Sequence, residues 1–228
     1  MCGRYTLTVP AEVVAELFAL DEVPELAPRY NIAPTQEAPV IRLDPRPDPP
    51  RRRLHLLRWG LVPYWADDPS IGNRMINCRV ETAAEKPAYR EVFRRHRCLV
   101  VADGFYEWKK DPGGKQPFWA HRPDGRPFAF AGLWSRWRHG GGRLDTYTIL
   151  TTEPSPHLAP LHDRMPAILD PADWSAWLDP EVSDPVELRA MIARADGRDL
   201  ALRPVGRQVN TASYDEPDCV EPLTAPAD

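Results

Sequence analysis

At 228 residues, with 43% hydrophobic and 27% charged side chains, the chain reads as a globular protein of one large domain or two small ones. Its formal net charge of −4 gives no global pull toward nucleic acid and leaves that role to a local basic patch. No apolar run approaches the roughly 20 residues of a membrane helix, no secretory signal opens the chain, and Cys2, Cys78, Cys98 and Cys219 show no C-x-x-C pair or other metal spacing, so a reducing cytoplasmic compartment with free thiols, no metal and no cofactor is expected.

In chain order, Tyr5, Leu7 and Val9 alternate as in a half-buried strand. Pro10 is tolerated in a first helical turn, and Val13, Val14, Leu17 and Phe18 predict an amphipathic helix over 11–20. A Pro-interrupted loop is expected over 21–39. Residues 40–43 and 53–59 read as strands around a proline-rich insert, 44–52, expected to be mobile. Another loop, 60–76, carries Tyr64 and Trp65, and a short helix is expected over 87–95. The middle is β-rich: 98–102, 104–110, 117–121, 127–134 and 144–151 all look like strands, several separated by Gly- and Pro-containing turn signals. A further strand is expected over 165–169. Asp170 can cap a helix begun by Pro171, with Trp174 and Trp177 on one face. Ser183 or Asp184 can open another, to about Ala193. Residues 201–209 read as the last strand and 212–228 as a loose tail. No repeat or domain linker is visible, and strands follow one another by hairpins. The expectation is a single α+β domain over 1–228, with a curved, mostly antiparallel barrel-like core and peripheral short helices.

The chemistry starts at position 2. Enzymes that trim initiator methionine favour a small second residue, so removal of Met1 would leave Cys2 with a free α-amine and a thiol on adjacent carbons. That amine has a reference pKa near 7.7–8.0 and the thiol one near 8.5, so both offer reactive forms near neutrality. Amine plus thiol condense with an aldehyde: an imine forms, then sulfur closes a five-membered thiazolidine. The same Cys could attack a carbonyl with its own amine as base.

Other polar residues could serve such chemistry. In Asp103-Gly104-Phe105-Tyr106-Glu107-Trp108, alternation puts Phe105 and Glu107 on one strand face. A carboxylate among aromatics is desolvated and its pKa rises toward acid–base use, unless Glu107 lies on an exposed edge. His162, in His162-Asp163-Arg164-Met165-Pro166, can exchange protons near neutral pH or simply bond a loop carbonyl. Asn77 offers a donor and an acceptor, and Arg79 a bidentate fork for phosphate, unless the hexapeptide Asn77–Thr82 is only a capped helix start. Trp65 either stacks on a base or folds back onto the core.

Together these segments resemble the SRAP (SOS response-associated peptidase) family. The resemblance rests on Met1-Cys2-Gly3-Arg4-Tyr5, Arg29-Tyr30-Asn31-Ile32-Ala33-Pro34, Trp59-Gly60-Leu61-Val62-Pro63, Asn77-Cys78-Arg79-Val80-Glu81-Thr82, and the Glu107 and His162 motifs above. Cys78 stands where the family usually has Ala, a small-for-small change. The resemblance implies a monomer, without cofactor, that crosslinks through Cys2 to the aldehyde of abasic sites in single-stranded DNA and so shields the lesion. It implies acid–base work for Glu107, proton movement at the sugar oxygen for His162, and positioning of the α-amine for Asn77. It also implies DNA contacts from Arg4, Asn31, Trp65, Arg79, Thr151 and Arg164, no membrane association, and a cytoplasmic location, nucleoid-associated when bound to damaged DNA.

Three rivals remain at this level. Glutaminase-type amidotransferases also begin Met-Cys-Gly, but the Arg-Gly-x-Asp and Asn-Gly-Glu segments that hold glutamine are missing. A thiol peptidase could be drawn from Cys2, His162 and Glu107, with no oxyanion hole assigned. A passive single-strand-binding module would make no use of the amine–thiol pair.

Overall fold

The computed structural model describes residues 2–223 except 47, 113, 195, 196 and 198. In chain order its elements are β1 (Tyr5–Leu7), α1 (Ala11–Phe18), β2 (Arg29–Ile32), β3 (Glu37–Asp44), β4 (Arg51–Trp59), β5 (Asn77–Arg79), α2 (Val80–Ala83), α3 (Arg90–Arg95), β6 (Arg97–Ala102), β7 (Gly104–Asp111), β8 (Gly114–His121), β9 (Phe128–His139), β10 (Gly142–Thr152), β11 (Met165–Pro166), α4 (Trp174–Leu178), α5 (Pro185–Ala193) and β12 (Ala201–Pro204). Short 3-10 turns punctuate them. The α+β expectation holds: the strands are mostly antiparallel and form a partial barrel.

Two sheets share one core. The first has the order β12-β8-β7-β1-β2. In the second, β10, β4, β3, β6 and β9 pair in sequence and β9 returns to β10, while β5 and β11 pair with the far end of β10. The hairpin rule has two exceptions, since β4 and β5 each lie parallel to β10. Tyr5 ties the sheets together. Its ring meets Trp59 and Phe130 edge-on at 5.2 and 5.9 Å, and its hydroxyl shares a 2.6 Å hydrogen bond with that of Tyr147. The N-terminal strand is therefore core, between β7 and β2.

Asp103 anchors that strand. Its buried carboxylate accepts from Thr6 Oγ1 at 2.5 Å, Thr8 Oγ1 at 2.7 Å and the Val9 backbone N–H at 3.0 Å. These bonds also end β1, which is why it stops at Leu7 rather than Val9. Gly104 follows because no side chain fits: a Cβ there would lie 2.1 Å from Trp119 Nε1.

Several expectations are corrected. The expected loop 21–39 contains β2, whose backbone N–H groups at Tyr30 and Asn31 donate to Asp215 at 2.5 and 2.7 Å. In the insert 44–52, Asp44, Arg51 and Arg52 belong to the paired strands β3 and β4, leaving a shorter connection. The 11–20 helix ends at Phe18, with Ala19 left-handed at φ 51°. Asn77–Arg79 is strand, in register with Ile149–Thr151, before a single helical turn. The strand expected over 201–209 stops at Pro204 and gives way to a 3-10 turn, Arg207–Asn210. The expected loose tail packs instead through residue 223: Cys219 is buried and Tyr214 donates to Asp218 at 2.8 Å. Residues 224–228 lie outside the described residues. No described helix is long and apolar enough to cross a membrane.

Candidate active site

Cys2 sits three residues before β1 and is fully buried. Its Sγ donates to the Arg4 carbonyl at 3.5 Å, an oxygen that also receives the Tyr106 N–H at 3.0 Å. The start of β1 and the strand carrying Glu107 are thus bound beside the thiol. Burial, and then the nearby Glu107 charge, push the thiol well above its ordinary pKa. The resting group is a thiol. Met1, whose removal the sequence leads one to expect, lies outside the described residues.

Asn77 comes from the other sheet. Parallel pairing places it opposite Ile149 on β10, and Nδ2 donates to the Cys2 carbonyl at 2.7 Å. Its Oδ1 is buried and has no hydrogen-bond partner among the described residues. An orphan acceptor beside the reactive residue is a ready receptor for an incoming N–H or O–H.

Glu107 projects from β7 and is 3% exposed. Burial raises its carboxyl to about 7, so it gives and takes protons at neutral pH. The desolvated alternative is the one observed. It lines a cleft of about 810 Å³ together with His162, Asp163, Lys109, Lys110 and Lys115. Cys2, fully buried, is not part of its lining.

His162 Nδ1 is 3.0 Å from the Arg164 backbone N–H and 2.7 Å from Asp163 Oδ1. One nitrogen cannot serve both at once. The neutral ring accepts from Arg164; the protonated ring donates to Asp163. Burial, foremost, holds the imidazole below its usual range, favouring the neutral form. Glu107 and His162 thus share one cleft, and Cys2, bonded to Asn77, lies close enough to feel the Glu107 charge.

The DNA-contact candidates divide. Arg79 is exposed, and its guanidinium makes no hydrogen bond or ion pair with a described residue. Trp65 is 50% exposed beside the more open Tyr64. The others are committed elsewhere. Arg4 donates to Val209 O at 2.6 Å and to Asn31 Oδ1 at 3.2 Å. Asn31 is fully buried and its Nδ2 binds the carbonyls of Val209, Thr211 and Tyr214. Thr151 is buried with Oγ1 3.5 Å from Cys78 O. Arg164 is buried in a bidentate pair with Glu81, at 2.8 and 2.9 Å, and also donates to Thr151 O. Asn31 is thus bonded to the segment 209–214, Thr151 to β5, and Arg164 to Glu81 and Thr151, with the buried Arg164 Nε left without a partner among the described residues.

Sequence reasoning missed the lysines. Lys110 and Lys115 stand directly opposite each other across β7 and β8, an arrangement that repels unless an anion lies between or over them. The signal was available: lysines flank the Pro112-Gly113-Gly114 turn only a few residues beyond Glu107. Asp103 was also missed as an anchor. Among the described residues no group of three or more His, Cys, Asp or Glu side chains is placed to hold a metal.

Comparison with known proteins places this mostly antiparallel partial barrel in a family. Residues 1–212 match the family described as SOS response associated peptidase (SRAP), and the chain belongs to it. It is 40% identical over 226 residues to the abasic site processing protein YoqW of Bacillus subtilis (strain 168), covering 97% of this chain and 99% of that one. It is 35% identical to the abasic site processing protein HMCES of Gallus gallus, covering 86% of this chain and 66% of that one. A crystal structure of a protein from Bacteroides thetaiotaomicron superposes with a TM-score of 0.81 over 98% of this chain and all of that one, at 24% identity.

Proposed function

We propose that this protein processes abasic sites in single-stranded DNA by forming a covalent adduct through Cys2. The observation that carries the reading is the buried Cys2, held by Asn77 at 2.7 Å and close enough to feel the charge of Glu107. The relatives' printed names supply the substrate class.

The reaction uses only groups of this chain and the lesion. Once Met1 is removed, the α-amine of Cys2 adds to the ring-opened deoxyribose aldehyde. Water leaves and an imine forms. Sγ then adds to the carbon of the protonated imine, whose nitrogen keeps its own proton, and the thiol proton returns to the Glu107 carboxylate. Aldehyde plus aminothiol gives thiazolidine plus water. Glu107, with a carboxyl near 7, protonates the departing hydroxyl and later takes the thiol proton. The buried thiol is hard to ionise alone, but a cationic iminium one atom from Cα lowers that cost by direct charge attraction. The free Oδ1 of Asn77 receives the amine N–H, and His162 moves protons at the sugar oxygen. Lys109, Lys110, Lys115 and Arg79 neutralise phosphates, and Trp65 stacks on an unpaired base.

Intact mass after mixing with abasic oligonucleotide tests the proposal. The wild type should gain the mass of the DNA less water and resist heat; Cys2→Ala should not. Cys2→Ser should form only a reducible imine. A heat-stable adduct from Cys2→Ala sinks the assignment, and turnover of peptide or glutamine without any adduct supports the rivals.

A further inference from the structure

A second cleft, of about 450 Å³, opens between the β3–β4 hairpin and the start of β10. Asp145 and Thr151 are six residues apart on β10, which puts this cleft about 20 Å along the strand from Thr151. Its lining has four arginines, Arg42, Arg46, Arg136 and Arg143, against two aspartates, Asp44 and Asp145, in a protein whose net charge is −4.

The hydrogen bonding leaves one guanidinium over. A carboxylate has about four acceptor sites. Arg136 takes two on Asp145, at 2.8 and 2.9 Å, and Arg143 reaches the same two oxygens at 3.0 and 3.5 Å. Arg42 approaches Asp145 only to 3.8 Å and donates no hydrogen bond to any described residue. Its side chain is nevertheless only 10% exposed. Its Cζ lies 4.2 Å over the Trp134 ring, whose indole also stacks on His96, so it is held in place. Asp44 is engaged by Arg53 at 3.4 Å and by the Arg46 backbone N–H at 3.0 Å, leaving the Arg46 side chain exposed without a partner among the described residues. Arg42 lines the cleft and meets Asp145 as an ion pair without a hydrogen bond, so its fixed guanidinium keeps donors for an anion in the cleft. The local field has the same sign: burial, and then the Arg42 charge, hold His55 down to about 4.

We propose that this cleft is a second anion site that binds a phosphate group. Arg42 supplies a fixed two-donor edge at the base, and Arg143 and Arg46 close over the remaining oxygens from the rim. Phosphate suits this better than a carboxylate because it offers oxygens to several guanidiniums in different planes. The site is independent of Cys2 and stands whether or not the adduct reading holds.

Calorimetric titration tests it, at ionic strength held constant with chloride. The background protein carries Lys109→Ala, Lys110→Ala and Lys115→Ala, which removes phosphate binding at the first cleft. Inorganic phosphate should still bind this background, and adding Arg46→Gln and Arg143→Gln should weaken it at least tenfold. Both arginines are exposed, so the fold is not at risk. Arg42→Gln should abolish binding. No phosphate binding to the background, or affinity unchanged by the two arginine substitutions, overturns the proposal. Two further arms identify the source. Weakened binding of deoxyadenosine monophosphate points to a free nucleotide. Weakened binding of a lesion-free oligonucleotide, which has no aldehyde to capture, points to a DNA backbone. If neither weakens while phosphate does, the ligand is free phosphate.

Discussion

Asn77, on β5 of one sheet, and Cys2, three residues before β1 of the other, are joined by a 2.7 Å hydrogen bond from Nδ2 to the Cys2 carbonyl. The reactive residue is therefore positioned across the core by a side chain as well as along it by the strand that follows. Asn77→Ala should remove both that bond and the free acceptor at Oδ1. We expect stability to fall by about 0.5–1.5 kcal/mol, the usual net worth of one hydrogen bond. Adduct formation should fall about tenfold or more, because a misplaced nucleophile loses its near-attack geometry. Single-turnover crosslinking beside a denaturant melt separates the two effects.

Glu107 gives a pH signature in stability. Its carboxyl is raised from 4.5 to about 7 in the folded protein, so the native state holds the proton more tightly than the unfolded chain. The sign follows: wild-type stability is lost as pH rises from about 4.5 to about 7, by roughly 3 kcal/mol at most. Glu107→Gln carries no such ionisation. Its melting temperature relative to wild type should climb between pH 5 and pH 8 (both about those values). A constant difference across that range would show that the carboxyl is not perturbed.

The same variant separates chemistry from binding. Loss of a positioned acid–base group typically costs about 10²–10⁴-fold. Glu107→Gln should slow adduct formation in or near that range with DNA affinity kept. His162→Ala should slow formation less and affect reversal more. Release into excess competitor abasic DNA measures the reversal, and a wild-type formation rate for Glu107→Gln removes the carboxylate from the mechanism.

Phosphate contacts should appear as salt dependence. On single strands each neutralised phosphate contributes a slope of about −0.7 in log affinity against log salt. Arg79→Ala should shallow the slope by about 0.7, and the triple lysine variant by up to about 2. An unchanged slope in either takes those residues out of the interface.

Glu81 should prove structural. Burial works against its ionisation, but hydrogen bonds from Arg164 outweigh this and hold the carboxyl low. Glu81→Ala strands the Arg164 guanidinium, 9% exposed, beside Thr151. The cost should be about 2 kcal/mol, less than the 3–5 of a fully buried pair because Glu81 is half-exposed. Equilibrium unfolding checks it.

The parts legible in the sequence were those written in local pattern. Alternation gave β1 and the buried face of β7, and glycine turns marked the long hairpins. The burial of Glu107 was readable because aromatic residues flank it on its own strand, whereas its cleft partners His162 and Asp163 come from far along the chain. What could not be read depends on remote partners. The strand Arg29–Ile32 looks like loop because its backbone is organised by Asp215, 184 and 185 residues further on from Asn31 and Tyr30. Arg164 and Arg79 are both basic residues in motif segments, yet one is locked on Glu81 and the other open to solvent. Nothing in either local sequence distinguishes them. Arg143 is local to Asp145 on β10, but Arg136 and Arg42 reach it only once β9 pairs with β10 and β3 lies one strand away beyond β4.

The central position of β1 also has a mechanical meaning. In the proposed adduct, DNA is attached to the residue group that leads directly into a strand hydrogen-bonded on both edges, to β2 and β7, and pinned at its far end by Asp103. Tension on the DNA would pull β1 along its own axis. The flanking hydrogen bonds run perpendicular to that axis, so they share the load together instead of peeling one at a time. The attachment point would thus give way only with the sheet itself, and a motor that strips the protein from DNA would have to unfold it first.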